Sequence, residues 1–529
     1  MQNSTSRGFR LSPQQKQIWI SQQAFPGQPF CAVGVFTVST SLDGNRLQRA
    51  FRILIGQHEI LRTTFARPAG IKIPFQIISE NTNFFWQSVH LTALEQGQQH
   101  ERIDALVAAE RKRRLTLDDG PVLRCQLANL SPRRAALIVS LPAICADSVT
   151  LKNLTREVFR IYESDVELEA PDEVVQYADF AEWQNQVLES ADAETVERRN
   201  YWNKKVLSDP VVLPLERRAV ATRVPEYDSV AVDTDEDLLN RLEAIASEND
   251  VALVHVLLVC WQTLISRLSG RRDFIVYNRC NARKIEDLQR ALGPFDRYLP
   301  LRAQPGKTPL SQQLSLVADE LRQAEEFQEY ADAKDPALFS GNAIAFELED
   351  LSVFATKTLL VSPSNLFVFS NPFKLKLSCI VSGKQLSLHL QYDCTTFHQE
   401  TIDQIGGYFR RLLEATATAH ANTLLASIDL LSDDDRRLLV ELNDTSSVYS
   451  RDKCVHELFE AQVASTPAAC AVACHSQRLT YEELNARANQ VANMLLNYGV
   501  EPGACVAMCM TPSVDTIVVL LGIDRKSVV

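Results

Sequence analysis

Along the 529 residues the apolar positions switch repeatedly between the spacing of a helix and that of a strand. Ser12-Pro13-Gln14-Gln15 has the form of a capping box with proline at the first helical position, which predicts a helix start. Leu47, Phe51, Leu54 and Ile55 recur at helical spacing, and that helix runs into HEILRTTF (58–65), where the pattern turns toward a strand. GPVLRCQLANL (120–130) and the run Ala135–Leu141 read as two strands of one sheet. Pro142 closes the second, because it lacks an amide proton and holds Leu141 extended. From Ser148 onward, Leu151, Leu154, Val158 and Phe159 mark one face of a new helix. The pattern is strand, short loop, helix start, which is a good mount for a reacting group.

Residues 191–225 are charged and dotted with proline, and VLPLERRAVATRVPEYD within them reads as a connection between two halves. The second half repeats the alternation. A core helix covers 251–268, strands fall at 274–277 and near 342–348, 364–369, 374–381 and 385–392, and a helix at 400–415 closes it. A third region begins near 436. Val455, Leu458, Phe459 and Val463 form a helical face, Val472-Ala473 starts a short strand, and Thr480-Tyr481-Glu482-Glu483 is a second capping box. CVAMCM (505–510) reads as a strand and a helix starts near Val514. The fold class is α/β with mixed sheets, and the length suggests about three domains.

A net charge of −12 and a pI near 5.4 argue against a nucleic-acid partner. The run Arg111-Lys112-Arg113-Arg114 reads as a solvated helix face. The apolar stretch 251–265 is too short to span a membrane and holds His255 and Gln262, so it reads as core. No secretory signal is evident at the N-terminus, and Met1–Gly8 is polar and expected to be loose. The twelve cysteines show no metal-ligand spacing. Cys470/Cys474 and Cys505/Cys509 lie in apolar runs and are expected to be buried thiols, with no metal bound and a cytoplasmic location.

Taken together, LSPQQKQIWI (11–20), HEILRTTF (58–65), VQYADFAEW (175–183), Tyr201-Trp202 and LGPFDRYLPLR (292–302) resemble a nonribosomal peptide synthetase condensation domain over about residues 8–435. VHELFEAQVASTP (455–467) and LTYEELNARAN (479–489), with Leu479, Thr480, Tyr481, Glu483 and Leu484, resemble the front edge of an adenylation (AMP-binding) domain. The resemblance implies two chloramphenicol-acetyltransferase-like lobes, 9–190 and 226–435, joined by 191–225, then an incomplete adenylation edge at 436–523. It implies carrier domains as partners, with substrates on 4′-phosphopantetheine arms and the donor carrier supplied in trans. The reaction it implies is amide formation from a thioester and an amine.

The family's tunnel motif, His-His-x-x-x-Asp-Gly, falls on Pro142-Ala143-Ile144-Cys145-Ala146-Asp147-Ser148. An imidazole there would accept a proton or hold the amine, an effect of about 10²–10⁴ in rate. Neither Pro142 nor Ala143 can do so. His58 reads as a structural histidine, and Cys145, with apolar neighbours, as an inert thiol rather than a nucleophile. Asp147 is retained, and the resemblance implies that it braces the loop by pairing with Arg62; it is also placed to cap the helix that follows. Phe295-Asp296-Arg297-Tyr298 stands where the family has Phe-Val-Asn-Thr, putting two charges on the tunnel floor, so these four, with Cys145 and Ser148, are candidate tunnel-lining residues.

Three readings follow. The domain transfers acyl groups between carriers with substrate amine already deprotonated, or it docks carriers or neighbouring domains without turnover, or it is a free-standing acyl-CoA acyltransferase. The glycine- and threonine-rich phosphate loop of adenylation domains does not occur in the chain, so no ATP/Mg site is expected. At Asp524 the apolar pattern breaks, and DRKSVV (524–529) can be written in codons that match a sequencing adapter, so the native part is expected to end at Ile523 and 524–529 to be a non-native tail.

Overall fold

The computed structural model describes residues 8–68, 70–113, 117–118, 120–164, 174–205, 210–217, 225–306, 308–331, 341–448 and 452–526. It divides into two compact units, Met1–Leu431 and Ser432–Val529.

In the first unit, Arg134–Pro142 pairs antiparallel with Cys31–Val38 on one side and Arg124–Ser131 on the other, and Phe85–His90 runs parallel to the last. Arg134–Pro142 is buried along nearly its whole length, which is why it reads as a continuous apolar run rather than an alternation. Leu47, Phe51 and Leu54 of the helix Gly44–Gln57 join Leu151, Leu154 and Val158 of Ser148–Glu163 in the core on one face of this sheet. A smaller cluster around Val33, Ile138 and Val107 of the helix Gln96–Arg111 fills another part of the core. Gly8 is not loose: Gly8–Phe9 pairs with Phe75–Ile78, which also pairs with Thr63–Ala66. Residues 1–7 lie outside the described residues.

The second large sheet has the order Asp296–Ala303, Phe274–Asn281, Ile344–Asp350, Leu375–Ser382, Gln385–Asp393, Tyr227–Val232. Ile344–Asp350 is parallel to both neighbours and the other pairs are antiparallel. The helices Leu253–Ser269 and Gln399–Thr416 build its core around Trp261 and Phe409, whose ring centroids are 5.6 Å apart.

Two boundaries read from the sequence are corrected. Leu360–Val368 and Phe354–Ala355 come from the second half of the chain but complete the first sheet, beside Cys31–Val38. Backbone pairing decides membership, and without them Cys31–Val38 would be an open edge. The connection 191–225 contains a helix, Ala193–Lys205, anchored by buried Trp202, whose indole donates to the Phe327 carbonyl at 2.8 Å. Its many charges conceal one well-placed aromatic anchor. The basic run at 111–114 is not simply solvated either: the Arg111 guanidinium lies 3.5 Å from the Phe367 ring centroid. Arg114 lies outside the described residues.

The second unit holds the helices Asp433–Asn443, Val455–Ser465, Tyr481–Asn497 and Val514–Lys526 and the hairpin Cys470–Cys474 with Gln477–Thr480. The expected capping box forms: the Glu483 amide donates to Thr480 Oγ1 at 3.2 Å, and the Thr480 amide to the Glu483 carboxylate at 2.9 Å. Tyr481 opens the helix, and Leu479 and Leu484 pack with Val514 and Val518. CVAMCM is not a strand, because a strand needs a paired neighbour and no described strand lies beside it. Cys470, Cys505 and Cys509 are exposed and Cys474 is half-buried, contrary to the expected buried thiols. The helix also continues through Asp524, which meets His456 at 3.2 Å, and Arg525, which pairs with Glu460 at 2.8 Å.

Candidate functional site

Every residue from Pro142 to Ser148 is buried. Pro142 ends the strand, and a tight turn follows in which the Cys145 amide donates to the Pro142 carbonyl at 2.8 Å. The Ala143 amide donates to the Phe30 carbonyl at 3.0 Å, and Gln15 reaches the Ile144 carbonyl at 3.2 Å. Burial pushes the Cys145 thiol far above its ordinary range, so it is held as the neutral thiol and is not a nucleophile. Pro142 and Ala143 carry no ionisable side-chain atom, and Ala143 is fully enclosed. His58 is buried and its Nε2 sits 2.9 Å from the Glu157 carboxylate, as befits a structural histidine.

The brace at Asp147 is built, but not with the expected partner. Its carboxylate receives two bonds from Arg283, at 2.8 and 3.0 Å, the Thr150 amide at 2.7 Å, and the Phe295 and Asp296 amides at 2.8 and 3.0 Å. Asp147 therefore caps the helix Ser148–Glu163 and also ties the loop to the opposite sheet. Burial alone would raise this carboxyl, but the Arg283 guanidinium and the bonds from Thr150 outweigh it and hold it below its ordinary value. Arg62 instead donates to the Ser79 carbonyl and lies 3.9 Å from Glu59. The reason is local: Arg62 ends a 3₁₀ turn, Glu59–Arg62, whereas Arg283 follows the strand Phe274–Asn281 and enters the core beneath Phe295.

Separated motifs meet at this brace. Thr150 Oγ1 donates to the Gly293 carbonyl at 2.6 Å and accepts from the Gly293 amide at 3.0 Å. The Tyr177 hydroxyl donates to the Pro294 carbonyl at 3.0 Å and lies 2.8 Å from the Ser12 hydroxyl. Gly293 has φ +147°, and a Cβ there would fall 2.0 Å from the Tyr177 ring, so glycine is required. LSPQQ, YADF, the loop and LGPF are thus one hydrogen-bonded unit. Arg283 was missed at the level of sequence, since nothing in its spacing points to Asp147.

Of the expected lining residues, the structure brings Ser148, Asp296 and Tyr298 into one polar cluster and places the others elsewhere. Phe295 is fully buried against Tyr177 and Phe180. Arg297 points to the other side of its strand, where the Gln328 and Ala331 carbonyls hold it, because adjacent strand residues face opposite ways. Asp296 and Tyr298 share a face with Arg279, Glu347, Glu349 and Lys376 of the neighbouring strands. Arg279 pairs with Glu349 at 2.6 Å and donates to Ser148 Oγ at 3.1 Å; Lys152 reaches the same Glu349 at 2.7 Å. Lys376 pairs with Glu347 at 2.9 Å, and Tyr298 donates to Glu347 at 2.6 Å. Burial and the Asp147 charge push the Asp296 carboxyl up to about 7, against the pull of Arg279 and Arg283. No cluster of side chains able to hold a metal ion occurs among the described residues.

Comparison with known proteins bears on the family and the fold. The condensation domain family matches residues 6–440, and the AMP-binding enzyme family matches 459–529. The chain is 28% identical over 538 residues to bacitracin synthase 3 of Bacillus licheniformis, covering 97% of this chain and 8% of that protein. Among solved structures, a four-domain nonribosomal peptide synthetase bound to AMP and glycine superposes over 99% of this chain and 42% of its own, with a TM-score of 0.71 and 17% identity. The X-domain in complex with OxyB from teicoplanin biosynthesis covers 82% of this chain and 98% of its own, with a TM-score of 0.66 and 20% identity.

Proposed function

Since this chain belongs to the condensation domain family, we propose that it is part of a nonribosomal peptide synthetase and joins a donor acyl thioester to an acceptor amine, both borne on phosphopantetheine arms of carrier domains. The observation that supports this reading is the intact brace: Asp147, Arg283, Thr150 and Gly293 hold the loop against the opposite sheet with nine side-chain hydrogen bonds among themselves and the Phe295 and Asp296 amides. A frame this completely satisfied contributes little to a surface contact but fixes a reacting geometry, which is where proximity and orientation act. The loop itself supplies position and no imidazole. The donor carrier in trans and a cytoplasmic location belong to the same reading.

One observation favours a second reading. Ala143 is fully enclosed, and a domain of the same fold, the teicoplanin X-domain, is known in complex with OxyB. On this reading the module docks a carrier or neighbouring domain without turnover. Ala143→His separates the two. A gain in amide formation from pantetheine thioesters supports the condensation reading; carrier binding without product from either form supports docking.

A further inference from the structure

Four carboxylates meet where the loop faces the second sheet, and three of them have a cation within 3 Å. Asp147 has Arg283 at 2.8 Å, Glu349 has Arg279 at 2.6 Å and Lys152 at 2.7 Å, and Glu347 has Lys376 at 2.9 Å. Asp296 is the fourth. Its nearest cation is Arg279 at 3.7 Å, a guanidinium already committed to Glu349 and Ser148. Among the described residues none donates a hydrogen bond to its carboxylate, and 13% of the side chain remains exposed. The Asp296 amide, by contrast, is anchored on Asp147 at 3.0 Å. The backbone is thus fixed to the loop while the carboxylate is left under-neutralised at the junction of the two sheets' elements.

Resting on the condensation reading, we propose that Asp296 is the proton-accepting group of this module, in place of an imidazole on the loop. A neutral acceptor amine attacks the carbonyl carbon of the donor thioester and the C–N bond forms. The Asp296 carboxylate takes the N–H proton. The C–S bond then breaks, and the leaving thiolate recovers that proton, so an amide and a free thiol result and Asp296 is again ionised. A carboxyl raised toward neutrality suits this task, since near pH 7 a large share of it is ionised and that share is basic enough to accept. Burial and Asp147 raise its affinity for the proton, with Glu349 adding to them, and Arg279 and Arg283 oppose. Glu347, Lys376 and Tyr298 face the same cluster from the sheet and Lys152 from the helix, and each is paired: Lys376 and Tyr298 with Glu347, and Lys152 with Glu349.

The test uses the full chain with a panel of aminoacyl-pantetheine donors and amino-acid N-acetylcysteamine acceptors, reading amide formation against pH. Asp296→Asn keeps the backbone bond to Asp147 and removes only the titrating oxygen. It is expected to lower kcat about 100-fold or more, to abolish a rate-limb midpoint near pH 7 and to leave the thermal midpoint unchanged, while Asp296→Glu restores part of the rate. Carbon-13 NMR of labelled aspartate, assigned by Asp296→Asn, is expected to show one carboxyl titrating near 7. Product formation by Asp296→Asn at the native rate and pH profile, or titration of that carboxyl below pH 5, overturns the assignment alone. No product from the native chain with any pair overturns the condensation reading and this assignment together.

Discussion

Asp147 and Arg283, 136 positions apart in the chain, meet as a buried two-point ion pair that joins the loop of the first sheet to the element following a strand of the second. Both side chains are almost wholly withdrawn from solvent, at 3% and 1% exposure. Such a pair is costly to break from one side, because the surviving charge is stranded in a poorly polar interior.

Arg283→Ala is therefore expected to cost about 3–5 kcal/mol of stability, measured by denaturant unfolding of the first unit. Arg62→Ala, which loses a bond to a carbonyl, should cost about 1 kcal/mol. Equal losses from the two would show that Asp147 is not specifically served by Arg283.

The same pair sets an acid limit. The folded Asp147 carboxyl lies below its unfolded value of about 3.9. Its stabilisation is therefore fully present above pH 4 and is lost as pH falls through the folded value. Unfolding free energy should fall below about pH 4, and the Arg283→Ala chain should lose less on acidification than the native one. A steeper acid loss in the variant would contradict the brace.

Gly293 and Tyr177 interlock. Gly293→Ala forces a Cβ into the Tyr177 ring at a φ that disfavours a side chain, and is expected to cost about 3 kcal/mol or more. Tyr177→Phe leaves the ring but removes the hydroxyl contacts to Ser12 and Pro294, at about 1–2 kcal/mol. Tyr177→Ala should partly relieve Gly293→Ala, so a double-mutant cycle that is strictly additive would count against the contact.

Thiol chemistry should divide along the chain. Cys454, Cys470, Cys505 and Cys509 are exposed, whereas Cys31, Cys125, Cys145, Cys260, Cys280 and Cys379 are buried. A thiol reagent under native conditions should label the first group quickly and the second only on unfolding, read by peptide mass spectrometry. Rapid labelling of Cys145 would mean that the loop opens.

The helix Asp433–Asn443 buries none of its residues and exposes Leu438, Leu439, Val440 and Leu442. Tyr498, Met494 and Met510 are also exposed in that unit. Removing residues 432–529 is expected to raise the soluble yield severalfold, and an unchanged yield would show that this apolar surface is covered in solution.

Much of the local structure was legible because it rests on neighbours in sequence. Ser12 with Gln15 and Thr480 with Glu483 cap their helices as their spacing demands, and the continuous apolar run 135–141 became a fully enclosed strand. CVAMCM failed as a strand because apolar composition cannot supply the second strand that pairing requires. Adjacency in sequence groups Arg297 with Asp296, but neighbours in a strand face opposite ways, and only Asp296 reaches the cluster.

The sequence by itself determined most of the elements, the family resemblance, the absence of histidine at positions 142 and 143 and the presence of an aspartate at 147. Only the tertiary structure decided that Arg283, not Arg62, serves that aspartate, that Leu360–Val368 crosses to the first sheet, and that Asp296 is left without a close counter-ion. The physical reason is common to all three. Helix caps and strand periods are settled within a few residues, whereas ion pairs and sheet order depend on which distant backbones the core brings into register, and on which buried charge each cation reaches first.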